Sequence, residues 1–204
     1  MPVDVPYSSQ WSDPTWTRAI VEEQADPCED PSWTVRGFSN RDEYRFWARR
    51  TCGLACLESM LGYWRLPAPD RANLLRSALA RKVYEVSEDG TVRGLIYRPF
   101  ADWLQEDHGL RVEVLGEVTL GQLLAKIPGE GFGMASVSPR IRYPTEPCAS
   151  PGGHLVLIIS SNADEVIFHN PSGIPPYQSH ARVRRSDFER FFANRGMVIS
   201  RPRG

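Results

Sequence analysis

The chain is expected to fold as an α+β domain, with helices in its first half and antiparallel strands in its second. Three observations predict this. Apolar residues recur at three- and four-residue spacing between Arg41 and Asp107. Beyond Gly109 they gather into short runs bounded by Gly, Pro, Asn and Asp. Asn162-Ala163-Asp164 is short enough to join two of those runs as a hairpin. With 204 residues the chain has one domain's worth of sequence, enough to bury a core without metal or disulfide staples. A hydrophobic fraction of 41% and a charged fraction of 24% exclude wholesale disorder.

Residues 1–40 are punctuated by Pro6, Pro14, Pro27 and Pro31 and carry Trp11, Trp16 and Trp33. They are expected to form an irregular arm packed on the domain, since a disordered tail seldom holds three tryptophans. Helical signals begin near Arg41. Thr51–Trp64 follows with Thr51 as its N-cap, and Leu54, Leu57, Met60, Leu61 and Trp64 mark a buried helix stopped before Pro67. Further helices are expected over 70–83, 99–107 (ended by Gly109) and 119–126 (capped by Thr119). Strands are expected over 111–115, 132–137, 154–160 and 165–169. Ser186 with Glu189 suggests a capping box for a helix over 186–194, before a last strand over 197–200.

The most informative stretch is Thr51-Cys52-Gly53-Leu54-Ala55-Cys56. A cysteine at the mouth of a helix meets unpaired backbone N–H groups and the positive end of the helix dipole, which favour the nucleophilic thiolate. Gly53 beside it permits close approach of other groups. Cys56 falls among the apolar positions and is expected in the core. A thiol nucleophile needs an imidazole, and the imidazole needs a third group to hold its tautomer. His154 follows Gly152-Gly153 and opens the apolar run Leu155–Ile159, which would hold it at the lip of a cleft. Asn170 ends the next strand before Pro171. In a hairpin turning at 162–164, residues near 157 face residues near 168, so Asn170 is expected close to His154. His108 and His180 lack evident partners, the former at a helix end and the latter in a polar loop.

The Cys52–Leu57 stretch followed by Met60 resembles the nucleophile motif of the bacteriocin-processing, double-glycine leader peptidases. These are papain-like cysteine peptidases that occur fused to ABC exporters and as stand-alone relatives. Gly153-His154-Leu155-Val156-Leu157 resembles their histidine strand, and Ile167-Phe168-His169-Asn170-Pro171 the strand of their third member. Val5-Pro6-Tyr7-Ser8-Ser9-Gln10 resembles the start of stand-alone relatives, in which a glutamine helps form the oxyanion hole. The resemblance implies a papain-like fold, with N-terminal helices packed on a C-terminal antiparallel sheet, as a single domain over 1–204. Two departures stand out. The family usually has Asp where this chain has Asn170. Gln10 lies 42 residues before Cys52, with 11–50 placed as an insertion.

Together these readings predict acyl transfer through a thioester: Cys52 as nucleophile, His154 as acid and base, Asn170 orienting it, and Gln10 at the oxyanion. A peptide or peptide-like substrate is expected, with water as acceptor in a precursor-processing peptidase. An amine acceptor would make the protein a ligase or transacylase, and a degenerate relative would bind peptide without cleaving it. No cofactor is expected. Cys28, Cys148, His169 and His180 lack the close spacing of a zinc site. A net charge of -1 argues against a nucleic-acid partner, and Arg182, Arg184 and Arg185 are expected on a solvated face. With no long apolar segment and no basic start followed by an apolar stretch, no membrane contact and a cytoplasmic location are expected.

Overall fold

A computed structural model describes residues 4–148 and 150–202. Its helices are α1 (Thr17–Glu22), α2 (Arg41–Ala48), α3 (Cys52–Trp64), α4 (Arg71–Ala80), α5 (Tyr97–His108), α6 (Leu120–Lys126) and α7 (Arg185–Phe191). A small hairpin joins β1 (Glu85–Val86) to β2 (Val92–Arg93). The main sheet comprises β3 (Arg111–Gly116), β4 (Phe132–Val137), β5 (His154–Ser161), β6 (Glu165–His169), β7 (Ala181–Arg184) and β8 (Phe192–Ser200). It is antiparallel throughout, in the order β3-β8-β4-β5-β6-β7. The α+β segregation expected from the sequence is the observed one. Among the described residues no helix is long and apolar enough to cross a membrane.

The sheet is covered on both faces. Leu54, Leu57 and Met60 of α3 join Met134, Leu155 and Leu157 in one core, while α6 and α7 cover Ala135, Val156 and Phe168 on the other side. β4 is therefore buried at every position and β5 over its first six, which is why these strands are continuous apolar runs without alternation. The helix over 51–64 ends as expected, with Arg65 in a left-handed conformation (φ 53°) closing its last turn ahead of Pro67. Asp70 and Gly109 bound the next two helices. Thr119 caps α6, with Gln122 completing a capping box. The 162–164 hairpin also forms, pairing Leu157 with His169 and Ile158 with Phe168.

Three local expectations are corrected. The arm over 1–40 is not irregular throughout. It holds α1 and two 3-10 turns, at Pro14–Trp16 and Pro27–Glu29, each started by an aspartate side chain (Asp13, Asp26) with proline in the first turn. There the prolines start helical turns by pre-setting φ. The Ser186/Glu189 capping box does not form: α7 begins at Arg185 without a side-chain cap and runs straight into β8. The last strand starts at Phe192, five residues earlier than expected, because it sits between β3 and β4 and both neighbours extend it. The solvated face expected for the arginines holds for Arg182 and Arg184, which lie exposed on the edge strand β7, while Arg185 opens α7. Ala181 and Val183 of β7 point in while Arg182 and Arg184 point out, so the charges guard the sheet edge.

Candidate active site

Cys52 is the first residue of α3, whose N-terminus is held from two sides. Gly53 lies so close to Leu95 that a β-carbon there would sit 2.5 Å from the leucine Cδ1, so a larger residue beside the thiol would force the Leu95 side chain aside. Cys56, one turn on, is buried and its Sγ lies 3.8 Å from the Leu155 carbonyl oxygen, tying α3 to the start of β5. Thr51 occupies the cap position without capping. Its hydroxyl instead accepts from Arg71 Nη1 at 3.3 Å.

His154 opens β5 opposite Val137, delivered by Gly152 and Gly153 at φ 102° and 89°, a backbone conformation that side-chain-bearing residues seldom adopt. Its Nε2 lies 2.9 Å from Asn170 Oδ1. The Ser172 backbone N–H also donates to that oxygen, at 3.3 Å, which fixes the amide with its oxygen toward the imidazole. His154 Nε2 is therefore the protonated nitrogen, leaving Nδ1 as the basic one. Asn170 is fully buried in a turn closed by Gly173, whose N–H donates to the Asn170 carbonyl at 2.9 Å. The structure thus brings His154 and Asn170 together as expected. Ser172, which no earlier signal marked, adds its hydroxyl 3.3 Å from Nε2.

Gln10 reaches the same place from the far end of the chain. Its backbone N–H donates to the Pro171 carbonyl at 2.7 Å, next to Asn170, and its own carbonyl accepts from Arg71 Nη1 at 3.3 Å. Arg71 is the hidden organiser. Buried to 1% exposure, it donates to Ser9 O (2.9 Å), Ser8 Oγ (3.1 Å) and both Glu58 oxygens (2.6 and 2.8 Å). One side chain thereby clamps the Ser8–Gln10 arm and Thr51 onto α3. No periodicity or motif around Arg71 announces this.

Cys52, Gly94, Gly153 and His154 form a waist between two lobes of one cleft. One lobe is lined by Leu95, Tyr97, Ser136 and Arg195. The other is lined by Gln10, Trp11, Tyr84, Arg142 and Ser172. No hydrogen bond joins the Cys52 sulfur to His154 in the described residues. Burial pushes the Cys52 thiol up, outweighing the N–H groups of Leu155 and Gly53 that pull it down. Burial and the nearby Arg142 charge also lower His154, to about 4, against the raising effect of Asn170. Against the pull of the helix start toward thiolate, burial therefore holds both groups toward their neutral forms. A helix dipole contributes at most about 2 kcal/mol, less than desolvation of a buried anion costs.

His169, one residue before Asn170, has a purely structural place. Its Nδ1 accepts from the His180 N–H at 3.1 Å, so its Nε2 donates to Val5 O at 2.9 Å and anchors the arm. Burial lowers it to about 4. Both histidines titrate near 6.5 when unfolded, so between pH 6.5 and 4 the unfolded chain binds more protons. Their stabilisation is complete above pH 6.5 and is lost as pH falls toward 4, by about 3 kcal/mol per histidine. Urea unfolding at pH 7 and 4.5 should show this drop, and His169→Gln should shrink it; an unchanged midpoint would contradict the buried neutral rings.

Cys52 thus stands at the start of α3, His154 at the start of β5 and Asn170 just past the end of β6, with the last two hydrogen-bonded to each other. No family model matches the chain, and no curated protein does. Among solved structures, the chain is similar to the peptidase domain of Streptococcus ComA, a bi-functional ABC transporter involved in a quorum-sensing pathway. That likeness has 12% identity and a TM-score of 0.49, covering 75% of this chain and 93% of the other.

Proposed function

We propose that the protein is a cysteine-nucleophile acyl-transfer enzyme, a papain-like peptidase that processes a peptide precursor. The observation that carries this reading is the His154–Asn170 bond, which assigns the imidazole tautomer and leaves Nδ1 free at the waist shared with Cys52. A neutral thiol and a neutral imidazole define the order of events. His154 Nδ1 takes the thiol proton as Sγ attacks the scissile carbonyl, so ionisation is coupled to bond formation. The resulting imidazolium, stabilised by Asn170, gives that proton to the departing amine as the C–N bond breaks. Water, deprotonated by the same nitrogen, then cleaves the thioester and returns the thiol. The Cys52 backbone N–H and the Gln10 side chain supply the oxyanion donors. Catalytic hydrogen bonds commonly tighten only when substrate is engaged, which accommodates the open thiol–imidazole pair.

An amine in place of water would make the same site a ligase or transacylase. Trp11, buried against the cleft, is placed to exclude water. The missing thiol–imidazole bond favours one further reading, a peptide-binding module without turnover, and Gln10 separates it from catalysis. Gln10→Ala should lower kcat about 10²- to 10³-fold with little change in KM if the side chain meets only the oxyanion. A binding module would instead retain peptide affinity in Gln10→Ala, Cys52→Ala and His154→Ala alike, with no turnover in the parent protein.

A further inference from the structure

The lobe that holds Gln10 concentrates positive charge. Arg49, Arg50 and Arg142 line it and no carboxylate does, although the chain as a whole carries 24 basic and 25 acidic residues. None of the three forms an ion pair among the described residues. Arg49 and Arg50 donate only to backbone carbonyls, and Arg50 lies 4.2 Å over the Phe46 ring. Arg142 donates to Ser172 Oγ at 2.8 Å. Glu22, whose field reaches Arg142, is itself held by Arg18 at 2.7 Å and Tyr143 Oη at 2.6 Å.

A second observation points the same way. Seven buried side-chain polar atoms in the described residues lack a hydrogen-bond partner, and three of them belong to residues lining this lobe: Trp11 Nε1, Tyr84 Oη and Arg142 Nε. Trp11 and Tyr84 are 2% and 3% exposed. All three can donate. Leaving buried donors unpaired costs free energy, and three of them on residues that line one recess favour a ligand rich in acceptors there. A carboxylate offers two oxygens and the charge that matches guanidinium.

We infer that the Gln10 lobe recognises a carboxylate of the peptide substrate beside the scissile bond, anchored by Arg142 with Trp11 and Tyr84 and rimmed by Arg49 and Arg50. This rests on the reading of Cys52 as the nucleophile that attacks the peptide. The carboxylate is either an acidic side chain or the free end of the peptide.

Iodoacetate and iodoacetamide alkylate a thiol at the same carbon and differ in charge, so the ratio of their rates at Cys52 reports the lobe and cancels the thiol's own reactivity. Mass spectrometry of the full-length protein reads both rates, with N-acetylcysteine amide as reference. The expected ratio at Cys52 is about tenfold more favourable to iodoacetate than the reference ratio at low salt. It should fall toward the reference in 0.5 M salt, in Arg142→Gln and, less, in Arg49→Gln. A wild-type ratio equal to the reference and indifferent to salt overturns the subsite without needing any variant to fold. If alkylation then still depends on His154, the proposed chemistry survives that loss. Conversely, a thiol that is no more reactive with His154 than without it defeats the chemistry while the ratio still judges the lobe. Three peptides identify the source: a neutral amide-capped peptide, the same peptide with a free terminal carboxylate, and the capped peptide with one Asp. One of the two acids should protect Cys52 from iodoacetamide at about tenfold lower concentration than the neutral peptide; equal protection by all three counts against the inference.

Discussion

Cys52→Ala should abolish peptide hydrolysis, and His154→Ala should lower kcat about 10⁴-fold or more, with the fold retained in both. The Cys52→Ala/His154→Ala double variant should be no slower than the worse single, since the two act as a unit. The resting charge state adds a sharper expectation. Because burial holds the thiol up and the imidazole down, Cys52 alkylation should climb with pH through the neutral range. It should lack the flat acidic plateau of a preformed thiolate–imidazolium pair. Such a plateau would mean that the ionised pair forms without substrate, contrary to the burial described above. Unchanged hydrolysis in Cys52→Ala would end the covalent mechanism.

Arg71→Met should destabilise the protein by about 3–5 kcal/mol, because it strips a buried carboxylate of its main partner. Burial alone would push the Glu58 carboxyl up, yet the Arg71 guanidinium brings it below its ordinary value. In a chain of this size the loss corresponds to a fall in Tm of about 10 °C. The arginine also holds the Ser9 and Gln10 carbonyls and the Thr51 hydroxyl, so its removal should loosen Gln10, the proposed oxyanion donor, from the start of α3. Stability and positioning can be separated. Arg71→Met/Glu58→Leu removes both charges and should recover most of the stability, since an apolar pair of similar volume replaces a buried ion pair well. It should not restore kcat, because nothing then ties the Gln10 carbonyl. Thermal melts and steady-state kinetics on the single and double variants decide the matter. Full recovery of both quantities would reduce Arg71 to a structural ion pair.

The reach of the sequence differs across the site. His154 and Asn170 were legible as neighbours because a short turn and two strands leave little freedom in register, and the pairing of Leu157 with His169 follows from that spacing. Cys52 was legible as a helix start because α3 carries an unbroken apolar pattern behind it. Gln10 was suggested by its motif only, across 42 residues that have no periodicity of their own. What places it is a backbone bond to Pro171 and the Arg71 clamp, both between segments far apart in sequence. α7 and β8 show the reverse case, where local capping signals yielded to pairing with strands on either side.

By itself the sequence determined the α+β order of elements and the two side-chain types, thiol and imidazole, that line the waist of the cleft. Those features follow from local periodicity, turn length and the chemistry of single residues. Only the tertiary structure decided where Gln10 stands, which His154 nitrogen is basic, that burial opposes the helix start at the thiol, and that arginines and unpaired donors share one lobe. Each of these depends on burial and on long-range partners, and the depth at which a group lies is set by everything packed around it.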